Sequence, residues 1–370
     1  MKVTITGQDG FIGFHLYNSI KYKYPKIDLI DFRKDYFKDS NKIDRIFKET
    51  DIIIHLAGIN RHDDEKYLFD QNILLGQKII DSLIRVNFKG KLIFASSIQE
   101  YDETVYGKAK KLSREMFFKE SVKIGYKFIA LIIPNVFGPF CKPNYNSFIS
   151  TFCQNLIKGE KNNIIDDRGV PLIYVDNLIQ KIISLFKTSA SDNIIIKEDL
   201  DIEVSKVKTI LEYFNNNYFQ NGTIPDLDSN FKKNLFFTYL SYIPLENYFP
   251  REINNLNDSR GSFSEVIRSS VPGQYSYSIT KPNKKRGDHF HTRKIERFIV
   301  ISGDANVELR MVGSSKKYKF KLNGQSPSYI DMPIWYTHNI TNIGNTPLIT
   351  LFWINEFFKE SDPDTYSEKV

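Results

Sequence analysis

The sequence predicts an α/β doubly wound parallel sheet followed by an all-β barrel or sandwich. Two textures in one chain carry that prediction. Up to about residue 180, short apolar runs alternate with amphipathic stretches, as βα units on a parallel sheet do. From Gly261 onward, short alternating segments are separated by Gly, Pro and Asn turns, as in antiparallel barrels. At 370 residues the chain has room for two to three domains of ~150 residues each.

In the first texture the strands are Val3 to Thr6, Asp28 to Asp31, Ile52 to Leu56, Leu92 to Ala95 and Phe128 to Ile133. Helical periodicity covers Phe11 to Ile20, Gln71 to Ile84 and Lys108 to Ser121. In the second, the strands include Tyr275 to Ile279, Glu296 to Ile301, Asn306 to Arg310 and Tyr318 to Lys321. Residues 189–250 are polar and Asn-rich, and are expected to hold one helix, Ser205 to Phe214, and then a crossing loop. The expected domains are 1–245 and 246–370.

An apolar fraction of 41% with 14% aromatics excludes a disordered or collagen-like chain. The longest apolar run, Phe128 to Ile133, is strand-sized and far below the ~18 residues that span a bilayer. Met1-Lys2 leads into VTITG with no charged and apolar leader segment, so a cytoplasmic protein without membrane attachment is expected. The formal charge of +7 is dispersed among Asn, Ile and Phe, and no nucleic-acid module accompanies it, so no nucleic-acid partner is expected. Cys141 and Cys153 read as free thiols.

Directly after the first strand stands Thr6-Gly7-Gln8-Asp9-Gly10-Phe11-Ile12-Gly13, opening a helix. Glycines there permit a tight turn and let backbone N–H groups approach a pyrophosphate at the helix N-terminus. The Gly7, Gly10, Gly13 spacing resembles the short-chain dehydrogenase/reductase superfamily, in its extended branch acting on nucleotide sugars. So do His55-Leu56-Ala57-Gly58 at the third strand, Ser96-Ser97 ending the fourth, Tyr106-x-x-x-Lys110, and Pro134-Asn135-Val136-Phe137-Gly138. That resemblance implies a Rossmann-type fold, with Gly7, Gly10, Phe11, Ile12, Gly13, Leu56, Ala57, Gly58 and Asn135 at the cofactor and Ser97, Tyr106 and Lys110 in catalysis. On a helix, residues i and i+4 share a face, so the Lys110 ammonium is expected to lower the Tyr106 phenol pKa and to hold the nicotinamide ribose. Tyr106 would then protonate a carbonyl oxygen that Ser97 positions. The interval between Ser97 and Tyr106 is shorter than the superfamily's usual one, so the loop over the substrate is cut down. Asp31 would favour NAD by bonding a ribose 2′-OH, and Arg33 would favour NADP by meeting its 2′-phosphate; the family resemblance below tips the expectation to NADPH.

The β half holds a second constellation: His289 and His291 in His-x-His, then Glu296, and later His338. His-x-His puts two imidazoles on one side of a strand, and Glu296 and His338 from neighbouring strands complete a set for one divalent ion. Mixed imidazole and carboxylate ligands suit zinc first, and also iron or manganese. The pattern resembles the two motifs of the cupin superfamily, with Trp335 standing where cupins carry Gly, a departure that bears on the turn and not on the ligand. Asp258 to Phe263 resembles the opening segment of deoxyhexulose nucleotide epimerases, where the arginine, here Arg260, meets a diphosphate; a plain salt bridge is its other reading.

Both constellations in this order, with Cys141 to Ser147, Thr238 to Tyr242, and Asn355-Glu356 to Tyr366, resemble a family of capsular polysaccharide biosynthesis enzymes joining an extended reductase to a metal-binding cupin. The resemblance implies a bifunctional step. The cupin epimerises C3 of a UDP-2-acetamido-2,6-dideoxy-4-hexulose, and the reductase reduces the C4 ketone with NADPH to the L-talose product, on the route to UDP-N-acetyl-L-fucosamine. A homodimer is expected because such sandwiches leave edge strands that partners cover. Two other readings compete: a 4-epimerase or 4,6-dehydratase retaining NAD, against which stands Ile98-Gln99 where a dehydratase has Asp-Glu, and a nucleotide-sensing scaffold with a silent reductase fold.

Overall fold

A computed structural model describes residues 1–188, 191–259 and 261–370, in two compact units: Met1–Phe152 with Asn163–Val207, and Cys153–Asn162 with Lys208–Val370. Arg260, expected at a diphosphate, lies outside the described residues.

The first unit is built on a six-stranded parallel sheet in the spatial order 28–30, 2–6, 52–55, 91–97, 127–133, 192–195. Its central strands are covered on both faces, which is why they read as continuous apolar runs; Ile52–His55 is buried at every position. Register follows the same logic, with Ile54 opposite Ile93 and Ile93 opposite Ile129. Phe32, Phe47, Phe94, Phe117 and Phe128 fill one face of the core. Fully burying one such ring stabilises the fold by roughly 1.5–3 kcal/mol.

Helix Val105–Ile124 is framed by its own sequence. Thr104 caps it by accepting from the Gly107 amide at 3.0 Å, and Gly125 ends it at φ +86°, donating to the Ser121 carbonyl. The expected helices Phe11 to Ile20 and Gln71 to Ile84 extend to Phe11–Lys23 and Glu65–Arg85. A three-stranded sheet of Asn135–Phe137, Gly169–Tyr174 and Leu200–Glu203 accompanies the main one.

In the second unit, two five-stranded antiparallel sheets run in the orders 251–252, 328–332, 296–302, 348–354, 274–280 and 317–323, 304–311, 336–342, 285–290, 366–367. The stretch expected to be a crossing loop instead contains helices Asn230–Leu240 and Leu245–Tyr248. The apolar run Leu235 to Leu240 is buried at every position, so it shows no amphipathic period to betray a helix. Tyr218 binds the Asp331 carboxylate at 2.5 Å, and Arg297 clasps the same carboxylate at 2.7 and 2.8 Å, so this buried charge pair is fully bonded. Among the described residues no helix is long and apolar enough to cross a membrane.

Candidate functional site

In the parallel sheet the strand order reverses around Lys2–Thr6, whose neighbours are 28–30 on one side and 52–55 on the other. A crevice opens outside the carboxyl ends of strands at such a switch point. The glycine loop occupies it. Gly7 adopts φ +80°, and a Cβ there would stand 2.8 Å from the Ala57 amide nitrogen; a Cβ on Gly13 would lie 2.1 Å from the Gly7 carbonyl oxygen. Only glycine fits at either position. No side chain caps helix Phe11–Lys23 at Gly10, which leaves its first-turn amides to an anion.

A cavity of about 450 Å³ follows, lined by Gly7, Gly10, Phe11, Ile12, Gly13, Leu56, Gly58, Ser97, Tyr106, Lys110 and Asn135. The structure thus brings together residues spread over 129 positions of sequence, from 7 to 135. Ala57 contributes through its backbone behind Gly7, and Arg33 lies outside this lining, exposed beyond the second strand. The Asp31 carboxylate accepts from the Tyr17 hydroxyl at 2.8 Å.

Lys110 is buried and donates to the Ala95 carbonyl at 2.9 Å, with its ammonium 5.7 Å from the centre of the Tyr106 ring. Burial pulls its pKa down to about 8. The Tyr106 phenol is pushed well above its usual range, first by burial and then by the Tyr145 phenol. The expected lowering by Lys110 is therefore not found here, because desolvation of the phenol outweighs a distant ammonium that is itself desolvated. Held protonated, the phenol has a proton to donate. Ser97 accepts from the Gln99 amide at 3.2 Å. Just beyond it, Glu100 is buried and paired with Arg114 at 2.8 Å, so this carboxylate is engaged in an ion pair.

A second cavity, of about 690 Å³, is lined by Arg61, Gln99, Asn144, Tyr145, Asn146, Ser147 and Arg168 among others. Gln99, Asn135, Tyr145 and Asn146 line both cavities, so the two adjoin. Sequence reasoning assigned no role to Gln99 or Tyr145. Tyr145, whose hydroxyl accepts from the Asn60 amide at 3.3 Å, lay inside the CKPNYNS segment, which was the available signal.

In the antiparallel unit, His289, His291, Glu296 and His338 each offer one ligand atom, all within 4.8 Å of one another. His338 Nε2 lies 2.9 Å and His291 Nε2 3.5 Å from the same Glu296 oxygen, yet all three atoms are buried without a hydrogen bond. Proximity without bonding is what donor lone pairs give when they converge on one point, and it fits a metal ion. The remaining nitrogens face carbonyls: His291 Nδ1 lies 2.6 Å from Asp364 O and His338 Nδ1 3.1 Å from Tyr336 O. Burial holds the His289 imidazole down to about 4, in its neutral, ligating form. Trp335, in the turn ahead of His338, adopts φ +65°.

Residues 3–196 match the model of the NAD dependent epimerase/dehydratase family, more than half of the chain. The chain belongs to that family. Residues 256–366 match a second model, the polysaccharide biosynthesis C-terminal domain. Over 374 aligned residues, covering 100% of this chain and 99% of the relative, the family member is 29% identical to the UDP-2-acetamido-2,6-beta-L-arabino-hexul-4-ose reductase of Pseudomonas aeruginosa. It superposes with a TM-score of 0.61 and 30% identity on the capsular polysaccharide assembling protein CapF from Staphylococcus aureus, each chain fully covered. The UDP-glucose 4-epimerase of Thermotoga maritima, at 16% identity and a TM-score of 0.57 over 65% of this chain and 98% of its own, shares the fold of the family.

Proposed function

We propose that this protein is a bifunctional UDP-sugar enzyme of surface polysaccharide precursor synthesis. It epimerises C3 of a UDP-2-acetamido-2,6-dideoxy-4-hexulose in its β region and reduces the C4 ketone with NADPH at the Rossmann-type site, giving UDP-2-acetamido-2,6-dideoxy-L-talose on the route to UDP-N-acetyl-L-fucosamine. The observation that carries the reading is a glycine-lined cavity holding Ser97, Tyr106 and Lys110 that adjoins a second, larger one with room for a substrate. The Pseudomonas relative, a hexul-4-ose reductase alike over its whole length, supports it.

In this reading the Gly7 to Gly13 loop and the first-turn amides of the helix would hold the cofactor pyrophosphate. NADPH bound there would supply the hydride for C4. Ser97 orients the ketone oxygen, and the Tyr106 phenol donates the proton that turns it into a hydroxyl. Lys110 holds the ribose and returns charge balance near the phenolate left behind. Arg33, exposed beyond the second strand, meets a 2′-phosphate. Chemistry fixes the order of the two steps: the proton at C3 is acidic only while the C4 ketone survives, so epimerisation precedes reduction.

Functional domains of 1–245 and 246–370 go with this reading, the second being a cupin whose His289, His291, Glu296 and His338 hold a divalent ion, zinc first. Such an ion supplies Lewis acidity toward a carbonyl oxygen or braces the two sheets. The enzyme is cytoplasmic and a homodimer. The deciding experiment is mass spectrometry and NMR of the products from a UDP-2-acetamido-2,6-dideoxy-4-hexulose, with and without NADPH, beside elemental analysis of protein purified without chelator. Stoichiometric NADPH oxidation and near-stoichiometric metal are expected. Retained NAD with no net oxidation of NADPH would instead support a 4-epimerase or dehydratase.

A further inference from the structure

Asp364 is a carboxylate buried to 2% exposure, held at φ +44°, and it belongs to no catalytic step described above. Its carbonyl and its carboxylate are spent on His291 and on the two residues that follow it. Its carbonyl faces His291 Nδ1 at 2.6 Å. Its carboxylate accepts from the Thr292 hydroxyl at 2.6 Å, the Thr292 amide at 3.2 Å and the Arg293 amide at 3.0 Å. The preceding carbonyl, of Pro363, accepts from Lys294 Nζ at 2.6 Å. Strand pairing sets the register of this clasp, with Tyr366 opposite Phe290 and Ser367 opposite His289.

We propose that Asp364 is a positioning residue for the metal, making the 363–367 segment a strap that fixes His291 as an Nε2 ligand; the proposal rests on the metal reading above. A carbonyl oxygen can only accept, so an imidazole bonded to it carries its proton on Nδ1 and leaves Nε2 bare. That bare nitrogen is the one 3.5 Å from the Glu296 oxygen. The bond also stops the ring from turning about its χ2 axis, which would swing a carbon into the ligand position. The carboxylate adds the other half of the device: it grips the backbone at 292 and 293, so the carbonyl cannot drift from the ring it orients. Outer partners of this kind are worth 10–100-fold in metal affinity.

The test is zinc affinity of the full chain by competition with a chromophoric chelator, with the visible spectrum of the cobalt-substituted protein as a second readout. Asp364→Ala is expected to weaken zinc 10–100-fold and to alter the cobalt bands. Asp364→Asn keeps an acceptor oxygen and tolerates a positive φ, so it should recover most of that loss. Thr292→Val, which deletes one donor and keeps the shape, should weaken zinc by a smaller factor, and it stands in if Asp364→Ala fails to fold. In a His291→Ala background, Asp364→Ala should cost nothing further. Parent-like affinity and spectrum in Asp364→Ala, or in Thr292→Val where that variant stands in, would overturn the strap, as would an equal loss with His291 already gone. If the parent itself binds neither zinc nor cobalt, the metal reading has failed, and the strap with it.

Discussion

Trp335 donates its backbone N–H to the His291 carbonyl at 2.7 Å while holding φ +65°, a left-handed conformation that glycine adopts freely and tryptophan does not. The turn that leads into the strand of His338 is thereby tied to the chain that carries His291. What offsets the strain is visible: the indole is 3% exposed and stacks on Phe290 at 5.5 Å. Backbone strain of this kind costs about 1–3 kcal/mol, whereas deleting a buried tryptophan costs about 3–5 kcal/mol. Trp335→Gly should therefore lower stability by roughly 2 kcal/mol despite suiting the backbone better. Thermal melting of the two proteins checks this, and an unchanged or raised midpoint would contradict it.

Gly13 predicts a sharper loss. A methyl there would meet the Gly7 carbonyl oxygen at 2.1 Å, and backbone cannot swing aside as a side chain can. Gly13→Ala should displace the loop proposed to receive the pyrophosphate, and NADPH affinity, read by fluorescence titration, should fall at least tenfold. Overpacking of this sort also costs about 1–3 kcal/mol of stability. Parent-like NADPH binding would show that the loop is not the cofactor's seat.

These two residues also show what the sequence could and could not tell. The glycine loop was legible because its chemistry is local: strand, turn and helix follow one another within a dozen residues, and steric need for glycine leaves a mark at each position. The His and Glu set was legible for a similar reason, since His-x-His is a strand-period pattern. Asp364 was not, because its partners lie some seventy residues away and a lone acid in a polar tail reads as solvated. Helix Asn230–Leu240 escaped notice because it is buried all round at its apolar end. Tyr106 and Lys110 were placed correctly side by side on their helix, but the direction of the phenol's shift depends on burial, which no spacing encodes.

Lys110 makes stability depend on pH in a predictable sense. Its folded value of about 8 lies below the ordinary 10.5, so between those values the unfolded chain binds more protons than the folded one. Unfolding free energy then rises with pH across that window. The penalty of burying the ammonium is complete below about pH 8 and is gone above about 10.5. The stability of the parent minus that of Lys110→Met, both free of cofactor, should rise by roughly 3 kcal/mol from pH 7 to 10.5. Urea titrations at several pH values measure it, and a flat difference would show that the ammonium is better solvated than its burial implies.

Strand Gln274–Thr280 lies at the edge of its sheet and turns Tyr275, Tyr277 and Ile279 outward, with 54%, 70% and 54% exposure. An apolar row beside an open edge is the arrangement that a second copy covers in a homodimer. Tyr277→Glu places a charge in the middle of the row. Sedimentation should find the parent dimeric and the variant mostly monomeric at micromolar concentration. A dimeric variant would move the interface elsewhere, and a monomeric parent would remove it.

The two proposed active sites can be separated by single substitutions, because their residues belong to different compact units of the chain. Tyr106→Phe deletes one oxygen, the only phenolic proton assigned to reduction, and leaves the His and Glu cluster as it is. Loss of a general acid typically costs 10²–10⁴-fold in rate, so NADPH oxidation should nearly vanish. Exchange at C3 should persist, seen by NMR as deuterium entering the hexulose in D₂O without NADPH. His338→Ala should do the reverse: it removes one of the converging nitrogens, abolishing deuterium entry while NADPH still binds. If Tyr106→Phe also stops the exchange, C3 chemistry belongs at the Rossmann-type site, and the β cluster would be left with a bracing role alone.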